Sequence, residues 1–203
     1  MQTKLAHAIS IIFHPLLIPT YAFLTLFSVN AYFSLLIPDP SKLRILSLIF
    51  IITFVFPTLI ILFFKSRNII SSLRMESREE RVYPYIVAGI FFTLAFYIIR
   101  LIQISPIFQY FCLGSAILLF LAFLINFLWK ISIHMIAIGG FTGMILGLSL
   151  MSIINNTLLI YGCFLVSGFI GFARLRLNAH SNAQVYAGYL LGLFGMILLA
   201  LYF

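Results

Sequence analysis

Three short polar clusters interrupt an otherwise apolar chain, and their residue types suggest chemistry on an anion. The first cluster, "RMESREERVYP", spaces Arg74, Arg78 and Arg81 so that they share one side of a helix. Guanidinium groups match phosphate oxygens in pairs, which makes this cluster a candidate phosphate clamp. The alternative is a solvated loop in which the three glutamates of the cluster pair with the arginines.

The second cluster, "WKISIHMIAIGG", places a histidine beside a lysine and a serine where an apolar run begins. Next to Lys130 and Ser132, the imidazole of His134 could act as a general acid or base. Polar groups at membrane depth are costly and tend to be functional. The alternative is an interfacial histidine that water or lipid headgroups satisfy, with Trp129 and Lys130 as ordinary interface anchors.

The third cluster lies in "ARLRLNAHSNAQVYAGYLLG", residues 173–192. Arg174 precedes His180 by six positions, and Gln184 follows His180 by four. Residues four apart in a helix lie on one face, so we expect His180 and Gln184 to meet. Metal binding is a poor alternative, because the chain has only four acidic residues and lacks any His-x-x-His or Glu-x-x-His pair. We therefore expect no metal and no cofactor.

The elements that position these clusters are membrane spans. Only 8% of the 203 residues are charged and 64% are hydrophobic, whereas a water-soluble domain has about a quarter of its residues charged. A spanning helix needs about 20 mostly apolar residues. The composition therefore predicts an all-α, polytopic transmembrane helix bundle of six or seven spans that forms a single domain over residues 1–203.

Seven stretches are long and apolar enough, with approximate bounds 9–29, 44–64, 85–104, 107–128, 132–153, 157–173 and 184–203. With seven spans, the loops after the second, fourth and sixth lie on one membrane face. These loops carry the three polar clusters, so we expect one polar site at that face. Small residues at 139–147 and 167–173 have the spacing that lets transmembrane helices approach closely.

The net charge of +8 narrows the possible partners. Nucleic acid would need an exposed basic face on a soluble module, and here the basic residues lie between apolar runs, so we expect no nucleic-acid partner. Anionic membrane lipids or a phosphorylated substrate fit better. Cys112 and Cys163 both fall in apolar runs without metal-ligand spacing. We interpret them as small buried hydrophobic residues.

Taken in order, the three clusters resemble the motifs of the type 2 phosphatidic acid phosphatase superfamily of membrane phosphatases. That family carries Lys-x6-Arg-Pro, then Pro-Ser-Gly-His, then Ser-Arg-x5-His-x3-Asp. The matching residues are Arg74 and Arg81 for the first motif, Ser132 and His134 for the second, and Arg174, His180 and Gln184 for the third. The resemblance covers residues 65–203, so the first span lies outside it.

The resemblance implies a metal-independent phosphatase that works through a phosphohistidine. The third-motif histidine of the family attacks phosphorus, so His180 would be the nucleophile. The second-motif histidine protonates the leaving oxygen, a role that falls to His134. The residues that would hold the phosphoryl oxygens are Arg74, Arg81, Arg174 and Ser132.

The sequence departs from the family pattern at several positions, of which Gln184 has the largest chemical consequence. The family has an aspartate there, which accepts a hydrogen bond from the nucleophile's other ring nitrogen and adds a negative charge. Gln184 can accept that bond through its amide oxygen but brings no charge. Ala173 replaces the family serine, and Ile131 and Ile133 replace the proline and glycine of the second motif.

These features predict an integral membrane phosphatase, placed in a bacterial inner (plasma) membrane, that acts on a lipid phosphate or a polyprenyl pyrophosphate. The rival class is a weakly active or inactive relative that binds or transports phospholipid or another anion. Neither the identity of the lipid nor the oligomeric state follows from the sequence. We interpret His14, in "FHPLLIP", as a structural residue that packs beside Pro15, because no motif includes it.

Overall fold

The computed structural model describes residues 2–72 and 78–202, and this part of the chain contains ten α-helices and no strand. The helices are α1 (Gln2–Ile12), α2 (Ile18–Ser28), α3 (Tyr32–Leu35), α4 (Asp39–Phe50), α5 (Phe56–Ser66), α6 (Arg78–Ile102), α7 (Pro106–Leu128), α8 (Ile133–Leu150), α9 (Thr157–Arg176) and α10 (Asn182–Tyr202). The predicted all-α bundle is confirmed.

Seven helical segments are long and apolar enough to cross a membrane, which confirms the higher of the two predicted counts. Their bounds are Thr3–Ser28, Asp39–Ser66, Glu79–Ile102, Pro106–Leu128, Ile133–Leu150, Thr157–Arg176 and Asn182–Tyr202. Large apolar side chains cover the outside of the bundle, and Leu101, Leu128 and Leu158 are each at least 80% exposed. Lipid tails accept such a surface and water does not, so the chain is an integral membrane protein.

The first span is not one continuous helix. α1 ends at Ile12, and a 3₁₀ turn at Pro15–Leu17 precedes α2. Pro15 supplies no backbone N–H, and the Nδ1 atom of His14 accepts a hydrogen bond of 3.3 Å from the N–H of Leu16. The second span contains a comparable irregularity, a π-helical segment at Ile51–Val55 between α4 and α5.

The closest helix packing in the bundle joins α8 to α10, and glycines make it possible. A Cβ atom on Gly139 would collide with the carbonyl oxygen of Tyr189, and Gly143 and Gly192 meet the facing backbone in the same way. Small residues let transmembrane backbones approach without an intervening layer of side chains, as the sequence predicts for 139–147. The corresponding prediction for α9 is wrong at Gly168, where a Cβ atom would meet nothing within 4 Å.

Candidate functional site

A cavity of about 820 Å³ lies inside the bundle and reaches the loops that follow α7 and α9. Residues from all three sequence clusters line its polar end, together with residues of the first span. The polar side chains of the whole lining are His7, Ser10, His14, Thr58, Arg81, Tyr85, Ser115, Lys130, His134, Arg174, Asn178 and His180. No acidic side chain of the described residues lines the cavity, so its charged groups all favour an anion.

The rest of the cavity wall is mostly apolar and extends toward the middle of the spans. Phe92 of α6, Phe111 of α7 and Gly140 of α8 line it. Each of these residues lies several helical turns away from the ends that carry the cations. The cavity therefore has a cationic end at one membrane face and an apolar end in the interior of the bundle.

The turn after α9 brings the third cluster to the cavity. Asn178 takes the left-handed conformation with φ of 50°, which asparagine adopts more easily than most residues. The N–H of Asn178 then donates to the carbonyl of Leu175 at 3.0 Å, and the N–H of Ala179 donates to that of Arg174 at 3.2 Å. These bonds close the end of α9, so that Arg174 in its last turn and His180 just beyond it line the same cavity.

The predicted contact between His180 and Gln184 is confirmed, and it belongs to the N-terminal cap of α10. The Oε1 atom of Gln184 lies 3.1 Å from Nδ1 of His180 and accepts a bond of 3.2 Å from the N–H of Ser181. The hydroxyl of Ser181 in turn accepts from the N–H of Gln184 at 3.4 Å. This reciprocal pair is a capping box, the Ser-x-x-Gln signature of a helix start.

The capping box determines the tautomer of His180. Because the N–H of Ser181 is a donor, the atom of Gln184 that meets it must be the amide oxygen. That oxygen can only accept, so Nδ1 of His180 carries a hydrogen and donates it to Gln184. The second ring nitrogen, Nε2, keeps its lone pair, which is the state that a nucleophilic imidazole needs.

Burial, together with the nearby positive charges of Arg174, Arg81 and Lys130, lowers the pKa of His180 to about 4, against the opposing effect of the bond to Gln184. Desolvation and neighbouring cations both disfavour the protonated imidazolium. His180 is therefore neutral at physiological pH. The three cations line the same cavity as His180.

His134 lies at the start of α8 and meets the first span. Its Nε2 atom is 3.3 Å from the backbone carbonyl oxygen of Ser10, and its ring centroid is 5.8 Å from that of His14. Its Nδ1 atom is buried and finds no hydrogen-bond partner among the described residues. His134 and His180 line the same cavity.

Arg174, like His134, has one polar atom with a hydrogen-bond partner and one buried polar atom without a partner among the described residues. Its Nη1 atom donates to the hydroxyl of Ser10 at 3.3 Å, whereas its Nε atom is buried without a partner in the described part of the chain. Buried polar groups are nearly always hydrogen-bonded in folded proteins, so the unpaired Nε of Arg174 and the unpaired Nδ1 of His134 suggest ligand or water contacts in the cavity that both residues line. Arg81 lines the cavity from the first turn of α6.

Of the predicted phosphate-binding residues, Ser132 does not line the cavity, and one further residue cannot be placed. Ser132 is fully buried and is not among the residues that line it, although its hydroxyl has no hydrogen-bond partner among the described residues. Its carbonyl oxygen accepts from Met135 and Ile136 at the start of α8, so this residue begins the helix that carries His134. Arg74 lies outside the described residues.

The first span supplies site residues that the sequence motifs do not include. Ser10 and His14 line the cavity, which places His14 at the candidate site as well as beside Pro15. No local spacing could pair these residues with His134 or Arg174, which lie more than a hundred positions later. The available signal is the cost of polar side chains in a spanning segment, which marks both residues as candidates.

Within the described residues, no group of three or more His, Cys, Asp or Glu side chains is arranged to hold a metal ion. In comparisons with known proteins, no family model, no curated protein and no solved structure matches the chain. Membership of the phosphatidic acid phosphatase superfamily therefore remains a prediction from three motifs.

Proposed function

We propose that the protein is a metal-independent phosphatase that hydrolyses a lipid phosphate or polyprenyl pyrophosphate through a phosphohistidine intermediate. The observation that carries this proposal is the composition of one cavity. Three cations and four imidazoles line it, and most of its other lining residues are apolar side chains of the spans. A phosphorylated headgroup fits the first environment, and the beginning of a hydrocarbon tail fits the second.

The residues of the site divide the reaction between them. Arg81, Lys130 and Arg174 hold the phosphoryl oxygens and stabilise the charge that develops on them. The Nε2 atom of His180 attacks phosphorus while the P–O bond to the lipid breaks, and the hydrogen on Nδ1 remains bonded to Gln184. This displacement leaves the phosphoryl group on Nε2 and an anionic leaving oxygen that takes up a proton, an alkoxide from a lipid phosphate or a phosphate from a pyrophosphate.

His134 completes the proton transfers of this scheme. The negative charge of the bound phosphate favours the protonated form of His134, whose Nδ1 atom donates a proton to the leaving oxygen as that bond breaks. A water molecule then attacks the phosphohistidine, and Nδ1 of His134 accepts a proton from that water. Inorganic phosphate leaves, and both histidines return to their initial states.

Phosphate release from purified protein tests this proposal. Protein in detergent is incubated with a panel of lipid phosphates and pyrophosphates in the presence of EDTA, and we expect release of inorganic phosphate. His180→Ala should abolish this release. Tyr186→Ala is the matched control, because Tyr186 is 66% exposed on α10 and lies outside the cavity lining. Release that persists in His180→Ala would show that His180 is not the nucleophile.

A second candidate is a non-enzymatic relative that binds or moves phosphorylated lipids. The uncharged side chain at Gln184 favours this candidate, because it cannot stabilise a positive charge on His180 as a carboxylate would. The same preparation separates the two. In a binding protein, added lipid phosphate protects His180 from chemical modification and no phosphate is released. In an enzyme, lipid phosphate protects His180 and inorganic phosphate is released as well.

A further inference from the structure

Ser10 of α1 contacts two groups of the site through different atoms. Its backbone carbonyl oxygen lies 3.3 Å from Nε2 of His134, and its hydroxyl accepts a 3.3 Å hydrogen bond from Nη1 of Arg174. Ser10 is only 8% exposed, so water does not compete freely for these contacts. Both contacts are long-range in sequence, because they span 124 and 164 positions.

These contacts determine how both groups face the cavity. A carbonyl oxygen can only accept a hydrogen bond, so Nε2 of His134 carries the hydrogen and Nδ1 is the atom left for a ligand. The hydroxyl of Ser10 occupies Nη1 of Arg174 and leaves Nε, which has no partner among the described residues, for an anion.

We propose that Ser10 is a positioning residue for His134 and Arg174, and that α1 forms a fourth wall of the site that the three sequence motifs do not include. The chemistry assigned to this wall rests on the proposed function. Ser10 itself touches no reacting atom, so its effect is on the orientation of the two groups that do.

α1 reaches this position by packing against α9, and its two faces differ in burial. Ala6 is completely buried on α1, whereas Ala8 of the same helix is exposed. A large side chain at position 6 must displace α1 from its seat, because well-packed interiors accept little added volume. The same side chain at position 8 projects into open space. Substitutions at these two alanines therefore form a matched pair. The substitution at Ala6 displaces α1, the substitution at Ala8 does not, and neither residue lines the cavity.

The first arm of the experiment compares Ala6→Phe with Ala8→Phe. Diethyl pyrocarbonate modifies accessible neutral imidazoles, and mass spectrometry of the peptides gives the modification rate of each histidine. We expect the rate at His134 to rise about tenfold or more in Ala6→Phe, because loss of the contact with Ser10 opens its Nε2 side, an effect of the size of one hydrogen bond. In Ala8→Phe the rate should equal that of the unmodified protein.

The second arm separates the hydroxyl of Ser10 from its carbonyl. Ser10→Ala removes the partner of Arg174 and keeps the contact to His134. We expect the concentration of inorganic phosphate that protects His180 from modification to rise roughly tenfold in Ser10→Ala, the loss of one charge-assisted bond. Ser10→Thr, which restores a hydroxyl, should bring the concentration back. The rate at His134 should not change in either variant.

The outcomes distinguish this inference from the proposed function. If phosphate fails to protect His180 in the unmodified protein, the proposed function is wrong, and the modification rate of His134 still decides whether α1 positions it. Equal rates at His134 in Ala6→Phe and Ala8→Phe would overturn the inference. So would protection by phosphate that is the same in Ser10→Ala as in the unmodified protein.

Discussion

The two histidines at the polar end of the cavity are held in different ways. His180 is oriented by Gln184, four positions away, within the cap of one helix. His134 is oriented by a carbonyl oxygen that lies 124 positions earlier, on a different helix. The first arrangement forms whenever α10 starts at Asn182. The second forms only when α1, α8 and α9 have packed together.

This difference separates the chemistry that local sequence can encode from the chemistry that needs the whole fold. A residue pair four apart tolerates changes elsewhere in the bundle, because the helix itself maintains the spacing. A contact between distant helices depends on every interface that positions them. We therefore expect changes in the bundle to affect His134 before they affect His180.

The leaving group of the substrate gives the largest expected contrast between the two histidines. An acid is needed only when the leaving oxygen is strongly basic, as in a lipid alcohol, and not when it is a nitrophenol. On lipid phosphate we expect His134→Ala to lower kcat by about 10²–10⁴. On p-nitrophenyl phosphate the same variant should stay within about tenfold of the unmodified protein, since the acid contributes little there.

His180→Ala is the comparison variant for this measurement. Loss of the nucleophile should abolish turnover of both substrates, whatever their leaving groups. Assays of phosphate and nitrophenol release under one set of conditions provide the comparison. Equal losses on the two substrates in His134→Ala would mean that His134 does not donate a proton to the leaving oxygen.

A substitution at Gln184 tests the local arrangement. Gln184→Glu keeps the length of the side chain and both hydrogen bonds of the cap, and it adds the negative charge that the motif of the resembled family has. In the serine-protease case, loss of the acid costs about 10⁴ in rate because the histidine adopts the wrong tautomer. Here Ser181 already fixes the tautomer, so only the charge is missing, and we expect a smaller gain in kcat, roughly tenfold.

Gln184→Met is the control for this change, since it keeps the length and removes the acceptor. Its kcat should fall below that of the unmodified protein. A decrease in kcat in Gln184→Glu would contradict the orienting role of this residue.

The pH dependence of chemical modification gives the smallest effect, and it reports on His180 alone. Only the neutral imidazole reacts with diethyl pyrocarbonate. Because the pKa of His180 is about 4, its modification rate should stay constant as the pH falls from 7 to about 5 and reach half near pH 4. Free N-acetylhistidine in the same tube should lose half its rate already near pH 6.5.

Gln184→Glu sharpens this measurement, because an added carboxylate favours the protonated imidazole and raises the pKa of His180. The midpoint should therefore move to higher pH in that variant. A midpoint near 6.5 in the unmodified protein would show that His180 is not buried among cations.

The sequence predicted the parts of the molecule that depend on short spacings. Seven apolar runs gave the spans, and the interval from His180 to Gln184 gave a contact that the structure contains. The prediction that His134 and His180 approach one site followed from the parity of the spans, and both residues line one cavity.

Tertiary packing determined what the sequence left out. Ser10 and His14 reach the cavity because the first span breaks after Ile12 and α1 packs against α9. No pattern within the first span predicts which helix it will contact. The position of Ser132 behind the cavity wall could not be predicted either. A Ser-x-His spacing does not specify which of the two side chains faces inward when the helix begins between them.

The glycines between α8 and α10 have a mechanical consequence for the site. His134 lies in the first turn of α8, and His180 lies just before α10. The backbones of these two helices are in direct contact at Gly139 and Gly143. Because no layer of side chains separates the two backbones, the helices have little room to move against each other. The distance between the two imidazoles is therefore fixed by this packing. We therefore expect any motion that opens the cavity to occur in α5 and α6, which line it with larger side chains.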